Sequence, residues 1–136
     1  MKIVALDIGD VWTGSALSDA LGMLARPYQT IATKELEPFL NQLFAQEKIG
    51  TVVVGHPTTL RGTASVQTTK VEQLKAQLEQ LFPSYSWILW DERLTSQQAQ
   101  TMKPAKTPED KRKAHSIAAA LILRSYLDYL HVKRHA

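Results

Sequence analysis

Residues 51–54, Thr-Val-Val-Val, constrain the fold of this chain more than any other segment. They form a continuous run of β-branched residues that ends abruptly at Gly55-His56-Pro57. A strand that is apolar on both faces has to be covered on both faces, which is typical of a central parallel strand in an α/β sheet. The run therefore predicts a sheet that carries helices on both sides.

The elements on either side of this strand predict the topology. Strands are predicted over residues 2–6, about 13–18 and about 28–31, and these three should form an antiparallel meander. Helices are predicted over about 35–46, 64–82, 96–102 and 108–132, with a fifth strand over 86–90. Three strands followed by helix, strand, helix, strand and helices match a five-stranded mixed sheet of the ribonuclease H-like fold.

Apolar residues at helical spacing give the predicted core faces of the three longer helices. For the first helix they are Leu36, Phe39, Leu40, Leu43 and Phe44; for the second, Val66, Leu74, Leu78 and Leu81; and for the last, Ala118, Ala119, Leu121, Ile122, Leu123 and Leu127.

Composition limits the chemistry that the chain can perform. Its 136 residues suit one domain over 1–136, and with no cysteine there is no disulfide, thiolate metal site or cysteine nucleophile. A bound metal would need oxygen or imidazole ligands, which favours Mg²⁺ or Mn²⁺. No segment is apolar enough for a membrane span, so we expect a soluble intracellular protein, and the net charge of +3 is compatible with a nucleic-acid partner.

Asp7 is the first candidate functional residue. It follows the apolar run Ile3 to Leu6 and precedes the turn at Gly9. A carboxylate at the end of a buried strand needs a cation, a proton or backbone donors to offset its desolvation. Metal binding is one interpretation, and capping of the turn through Gly9 is the other.

A second acidic group, Asp91-Glu92-Arg93, follows the fifth strand. Side chains alternate along a strand, so Asp91 and Glu92 should point to opposite faces and only one of them should join Asp7. Arg93 could pair with Asp91 on the other face. The alternative is a solvated strand end that carries only a salt bridge.

Three further groups could contact a metal or a phosphate. His115, near the start of the last helix, could coordinate a cation if it faces the sheet, although a helical histidine is more often a surface or core residue. Arg61, in the loop after His56, could contact phosphate, or the loop could be an ordinary exposed turn. Segment 103–113 is basic and expected to be mobile, and it fits either a phosphate clamp or a solvated loop. Its cationic residues are Lys103, Lys106, Lys111, Arg112 and Lys113.

Taken together, these residues resemble a known family. The matching positions, in chain order, are Asp7-Ile8-Gly9, Gly14, Ser18-Asp19, Val53-Val54-Gly55, Pro57, Gly62-Thr63, Asp91-Glu92-Arg93-Leu94-Thr95, Lys113, Ala118-Ala119 and Ile122-Leu123. The pattern is similar to the YqgF family, also called RuvX, over nearly the whole chain. That resemblance implies a ribonuclease H-like nuclease, related to Holliday junction resolvases, that matures the 5′ end of pre-16S ribosomal RNA in the bacterial cytoplasm.

The resemblance also implies an acidic site at Asp7, Glu92 and His115, and the chain departs from the family there. The family usually has aspartate at position 115. Histidine supplies one neutral nitrogen in its place, so Mn²⁺ should be favoured over Mg²⁺ relative to an all-carboxylate site. Asp10 stands where threonine is usual and could reach the metal or cap the hairpin. Trp12 stands where a basic residue is usual and could stack on a base or cover the hairpin.

These observations lead to a hypothesis of metal-assisted phosphodiester hydrolysis. Asp7, Glu92 and His115 would hold one or two Mg²⁺ or Mn²⁺ ions. Nucleic acid, either pre-16S rRNA or branched DNA, would be bound by a monomer or homodimer through Arg61, Arg93, Lys111, Arg112 and Lys113. A Holliday-junction-resolvase-like DNA nuclease, a non-catalytic ribosome-assembly factor and a nucleotide-binding protein are the alternatives, and the last fits poorly because no P-loop pattern is present.

Overall fold

The computed structural model of the chain describes residues 1–56, 66–91 and 107–135. The elements in these ranges are β1 (Lys2–Ile8), β2 (Trp12–Ser18), β3 (Ala25–Ala32), a 3₁₀ turn (Thr33–Glu35), α1 (Leu36–Gln46), β4 (Ile49–His56), α2 (Val66–Leu81), β5 (Ser86–Asp91) and α3 (Pro108–His135). The predicted helix over 96–102 lies outside the described residues. None of the described helices is long and apolar enough to cross a membrane.

The five strands form one mixed sheet in the order β3-β2-β1-β4-β5. β1, β2 and β3 are an antiparallel meander, while β4 runs parallel to both β1 and β5. The predicted mixed sheet and the central parallel position of β4 are therefore confirmed. Because β1, β4 and β5 run in the same direction, their carboxyl ends at Ile8, His56 and Asp91 share one edge of the sheet, where open α/β sheets commonly bind ligands.

Helices cover the sheet on both faces, and side-chain alternation in β1 and β4 assigns residues to each face. Val4, Leu6, Val52 and Val54 pack with α1 and α2. Ala5, Ala16 and Val53 pack with α3 through Ala119, Ile122, Leu123, Tyr126 and Leu127. Ala5 of β1 and Gly14 and Ala16 of β2 are small residues on the α3 face, so this helix can lie close to the middle of the sheet.

Two details of the predicted elements were wrong. In α2 the buried residues are Thr68, Val71 and Leu78, whereas Val66 and Leu81 are 75% and 52% exposed. The buried stripe therefore begins at a polar residue that the apolar pattern passed over. Residues 108–113 of the basic segment, which was expected to be mobile, form the first turns of α3, in agreement with the predicted start of that helix at about residue 108.

β3 is longer than predicted and runs through Pro27. Proline lacks an amide hydrogen and is tolerated on edge strands, and β2 is the neighbour of β3 in the described sheet. The pairing shifts between Gly14 and Ala16, where the Ser15 hydroxyl donates to the Gln29 carbonyl at 2.6 Å and accepts from the Gln29 amide at 3.0 Å. The Ser15 side chain thus satisfies the backbone groups that the irregularity leaves out of the ladder.

Candidate active site

Asp7 lies on the α3 face of the sheet, one residue from the carboxyl end of β1. Side chains alternate along β1, so Asp7 shares a face with Ala5 and not with Leu6 or Ile8. It is partly buried, and its neighbour across the antiparallel ladder is Gly14 of β2. A carboxylate thus stands at the rim of an apolar layer, at the edge where three parallel strands end.

Gly14 brings the backbone of α3 to this position. A Cβ atom at Gly14 would overlap the carbonyl oxygen of His115 and would lie 2.7 Å from the amide nitrogen of Ser116. Any larger residue would push the helix away, so this contact requires glycine. Gly14 and Asp7 are directly paired, and the Cα atoms of such residues lie about 4.5–5.5 Å apart. The backbone of His115, which contacts Gly14, therefore crosses the sheet next to Asp7. The backbones at these two predicted site residues therefore lie close together.

The first turns of α3 are fixed by a cap and by a bond to the sheet. The Thr107 hydroxyl accepts a hydrogen bond from the Asp110 amide at 3.0 Å, and Pro108 occupies the first helical position. The Thr30 hydroxyl of β3 donates to the carbonyl oxygen of Arg112. Thr30 is itself the ladder partner of Gly14, so α3 is anchored to two neighbouring strands beside His115.

The turn between β1 and β2 is also fixed, which sets the end of the strand that carries Asp7. The Gly9 amide donates to the Trp12 carbonyl at 3.0 Å, and a Cβ atom at Gly9 would lie only 2.6 Å from that oxygen. The Gly9 carbonyl accepts from the Thr33 hydroxyl at 2.7 Å, and the Ile8 carbonyl accepts from the Gln67 side chain at 3.0 Å. Groups from β2, the 3₁₀ turn and α2 therefore converge on this turn.

A cationic surface begins where α3 begins. Lys111, Arg112 and Lys113 are exposed, and the helix also presents Glu109, whose carboxylate is 4.0 Å from the Lys113 ammonium group. The Arg112 guanidinium carbon lies 5.1 Å from the centroid of the Trp12 ring, within the range of a cation–π contact. Trp12 therefore covers this end of the hairpin together with Arg112, a partner that the sequence did not reveal.

Other polar residues at the same sheet edge lie on the α2 face. Asp91 alternates with Trp90, which packs towards α3, so Asp91 points away from the Asp7 side. Its ladder partner is His56, whose ring nitrogen is 2.6 Å from a carboxylate oxygen of Glu72 in α2. Asp10 is mostly exposed and lies 3.3 Å from Lys70 of the same helix. Asp91 and Asp7 therefore lie on opposite faces of the sheet.

Glu92, Arg61 and Arg93 lie outside the described residues, so their predicted roles stay predictions. Within the described ranges, no group of three or more His, Asp or Glu residues could hold a metal ion. Asp7 and His115 supply two positions with oxygen and nitrogen donors, which are acceptable to Mg²⁺ or Mn²⁺ but are too few for a protein site without a third ligand. The predicted metal site at Asp7, Glu92 and His115 therefore stays a prediction.

Comparison with known proteins gives consistent results. A family model described as "RuvX: Holliday junction resolvase" matches residues 1–129. A protein of Rubrobacter xylanophilus named "Putative pre-16S rRNA nuclease" is 37% identical over 128 residues, covering 93% of this chain and 92% of the relative. A protein of Thermoanaerobacter pseudethanolicus with the same name is 37% identical over 135 residues, covering 94% and 96%.

The fold has a match among solved structures. Thermus thermophilus RuvC in complex with a Holliday junction substrate superposes with a TM-score of 0.62 at 14% identity, covering 97% of this chain and 96% of that one. At this identity the likeness shows the fold alone. It confirms the ribonuclease H-like architecture predicted from the order of the elements.

Proposed function

Because the chain belongs to the RuvX family, we propose that it is a divalent-metal-dependent endonuclease that hydrolyses phosphodiester bonds. Its proposed role is to process the 5′ end of pre-16S rRNA in the cytoplasm, during ribosome biogenesis. The names of the relatives from Rubrobacter and Thermoanaerobacter support this choice of substrate. The whole chain, residues 1–136, would act as one nuclease domain.

The observation that carries the proposal is the close approach of the His115 backbone to Gly14, the ladder partner of Asp7. A carboxylate stands at the end of a buried strand, and the glycine paired with it allows the backbone of α3 to pass beside it. The close approach is explained if two side chains from distant parts of the sequence have to serve one site.

The metal ligands in this proposal are Asp7, Glu92 and His115. A bound Mg²⁺ or Mn²⁺ ion would lower the pKa of an attacking water and offset charge on the transferred phosphate. Asp7 supplies an anionic ligand from a rigid strand, and the turn at Gly9 holds that strand end in place. His115 supplies a neutral ligand from a helix whose first turns are bonded to β3 through Thr30.

The same proposal assigns substrate binding to the cationic residues around this edge. Lys111, Arg112 and Lys113 lie two to four residues before His115 and are exposed, so they can neutralise phosphates of a strand that enters the site. Arg61 and Arg93 complete the proposed binding set. Contacts of this kind bind nucleic acid without reading its sequence, and their contribution should fall as salt rises.

The experiment compares cleavage of a structured pre-16S rRNA fragment and a four-way DNA junction, each with Mg²⁺ or Mn²⁺. Asp7→Asn removes the anionic ligand while keeping its size. Asp10→Asn is the matched control, because Asp10 is exposed and its contact is with Lys70. The proposal expects metal-dependent cleavage that Asp7→Asn abolishes and Asp10→Asn retains. Equal cleavage by the parent chain and Asp7→Asn would contradict the proposed site.

A second candidate function is a resolvase-like DNA nuclease. The description of the matching family, "Holliday junction resolvase", favours it. The same two substrates separate the candidates, since faster cleavage of the four-way junction than of the RNA would replace RNA processing by junction resolution. A junction cut symmetrically on two strands would also indicate that a homodimer, and not a monomer, is the active form.

A further inference from the structure

The stacked pair Trp12 and Arg112 stands at the rim of the proposed site. Trp12 and Gly14 are two residues apart in β2 and therefore share the α3 face. Gly14 is the ladder partner of Asp7, so Trp12 is its diagonal neighbour, at a typical Cα separation of about 7–8 Å. A nucleotide bound with its phosphate near Asp7 would have its base within reach of the Trp12 ring.

The ring face is covered by a side chain that can move away. Arg112 is exposed, and its guanidinium carbon lies 5.1 Å from the ring centroid. Lys113, its neighbour, lies near the Glu109 carboxylate, whereas Arg112 has no carboxylate partner within residues 1–56, 66–91 and 107–135. Its backbone is held by Thr30, so the side chain can turn without displacing the helix.

We propose that Trp12 stacks on an unpaired nucleobase of the bound strand, and that Arg112 leaves the ring to bind an adjacent phosphate. This inference rests on the proposed function and adds a preference for a single-stranded segment beside the cleavage site. The base has to be unpaired because bases within a duplex are already stacked on each other and cannot offer a face to a side chain.

The exchange is favoured by the relative strength of the two contacts. Stacking of a base on an aromatic side chain changes a binding constant by roughly 5- to 150-fold, whereas an exposed cation–π contact is worth roughly 2- to 5-fold. A base can therefore displace the guanidinium from the ring. The displaced guanidinium gains a new partner, because a phosphate on the same strand can accept a stronger, charge-assisted hydrogen bond from it.

The test is binding of a short labelled RNA with an unpaired segment, measured by fluorescence anisotropy. The full chain carries Asp7→Asn so that the RNA stays intact. A single abasic nucleotide is moved along the unpaired segment, in proteins with Trp12, Trp12→Phe and Trp12→Leu. The backbone carbonyl of residue 12 still accepts from Gly9 in every variant, so the turn keeps its hydrogen bond.

The expected result is one abasic position that weakens binding by about 5- to 150-fold with Trp12, by less with Trp12→Phe and by under about 2-fold with Trp12→Leu. Arg112→Gln should lower the salt dependence by about one phosphate contact and keep the abasic penalty. Intact RNA should quench tryptophan fluorescence more than the abasic RNA does, and this difference should disappear in Trp12→Phe, which leaves only Trp87 and Trp90 as tryptophan fluorophores.

Other outcomes overturn the inference. An equal abasic penalty with Trp12 and Trp12→Leu, no sensitive position, or equal quenching by both RNAs would each show that the ring does not stack on a base. If RNA binds under those conditions, the proposed function survives. Failure of the protein to bind any nucleic acid would overturn the proposed function as well.

Discussion

The backbone of His115 crosses β2 directly over Gly14, the ladder neighbour of Asp7. This relationship sets the height of α3 above the sheet and joins two parts of the chain that are far apart in sequence. It also makes the candidate site sensitive to a single methyl group.

Gly14→Ala should destabilise the protein and reduce nuclease activity. The added Cβ overlaps the His115 carbonyl, so the helix has to move, and overpacking of this kind costs about 1–3 kcal/mol. Gly50→Ala is the matched control, because a Cβ there meets the flexible side chain of Met1 at 3.0 Å. Urea unfolding measures both variants. Similar stability losses for the two would show that the approach at Gly14 is not tight.

Thr33→Val should loosen the turn next to Asp7. The Thr33 hydroxyl donates to the Gly9 carbonyl at 2.7 Å and also lies 2.9 Å from the Thr13 hydroxyl, which is fully buried. Valine keeps the shape but removes the donor, which should lower the free energy of unfolding by about 1–3 kcal/mol. Thr33→Ser restores the hydroxyl and should recover most of that loss. A serine variant as unstable as the valine variant would assign the effect to packing.

His115→Asp should change the metal preference of cleavage. Aspartate adds a charge and an oxygen donor that suit Mg²⁺, so the ratio of the Mg²⁺-dependent rate to the Mn²⁺-dependent rate should rise. His115→Asn provides oxygen without the charge and should raise the ratio less. Rates with each metal at saturation give the ratio. An unchanged ratio in both variants would remove His115 from the proposed ligands.

The turn between β2 and β3 should make a contribution to stability that is lost at acid pH. The Asp19 carboxylate accepts from the amides of Leu24 and Met23, and these hydrogen bonds lower its pKa. Since the folded protein binds this proton less readily than the unfolded chain does, the stabilisation is present above the usual pKa of aspartate and is lost as pH falls through the folded-state pKa.

Asp19→Asn should therefore reduce the fall of the free energy of unfolding with decreasing pH below about pH 4. The exposed Asp128 of α3 offers a matched control in Asp128→Asn. Urea unfolding over a series of acid pH values measures the slope for each variant. Identical slopes for the parent chain and Asp19→Asn would contradict the assignment.

Some of this architecture could be predicted from the sequence, because the local patterns agree with the tertiary environment. The run at Val52–Val54 is buried on both faces of the sheet, as its composition requires. In α2 the local pattern failed, since Thr68 is 1% exposed while Val66 is 75% exposed. Hydrophobicity alone could not identify a threonine as the residue that faces the core.

The residues of the candidate site could also be predicted only in part. Asp7 could be selected because a carboxylate closing a buried strand is unusual in itself. His115 could be named as a possible ligand near the start of a helix, but only the family resemblance assigned it to the site, because a helical pattern does not show which residue will cross a particular strand. The position of α3 over the sheet is set by the contact at Gly14 and by the hydrogen bond between Thr30 and Arg112. The contact of Arg112 with Trp12 follows from this position.

The most direct test of the central claim compares Asp7→Asn with Asp91→Asn. Both carboxylates stand near the ends of parallel strands at one edge of the sheet, but they lie on opposite faces. Cleavage rates with saturating Mn²⁺ are measured on the RNA that the parent chain cuts. Asp7→Asn should lower the cleavage rate by more than about 100-fold, because the loss of a group that only orients a metal ligand costs about 10- to 100-fold. Asp91→Asn should keep a cleavage rate within a few-fold of that of the parent chain. Equal losses, or a larger loss for Asp91→Asn, would show that the α3 face is not the catalytic face.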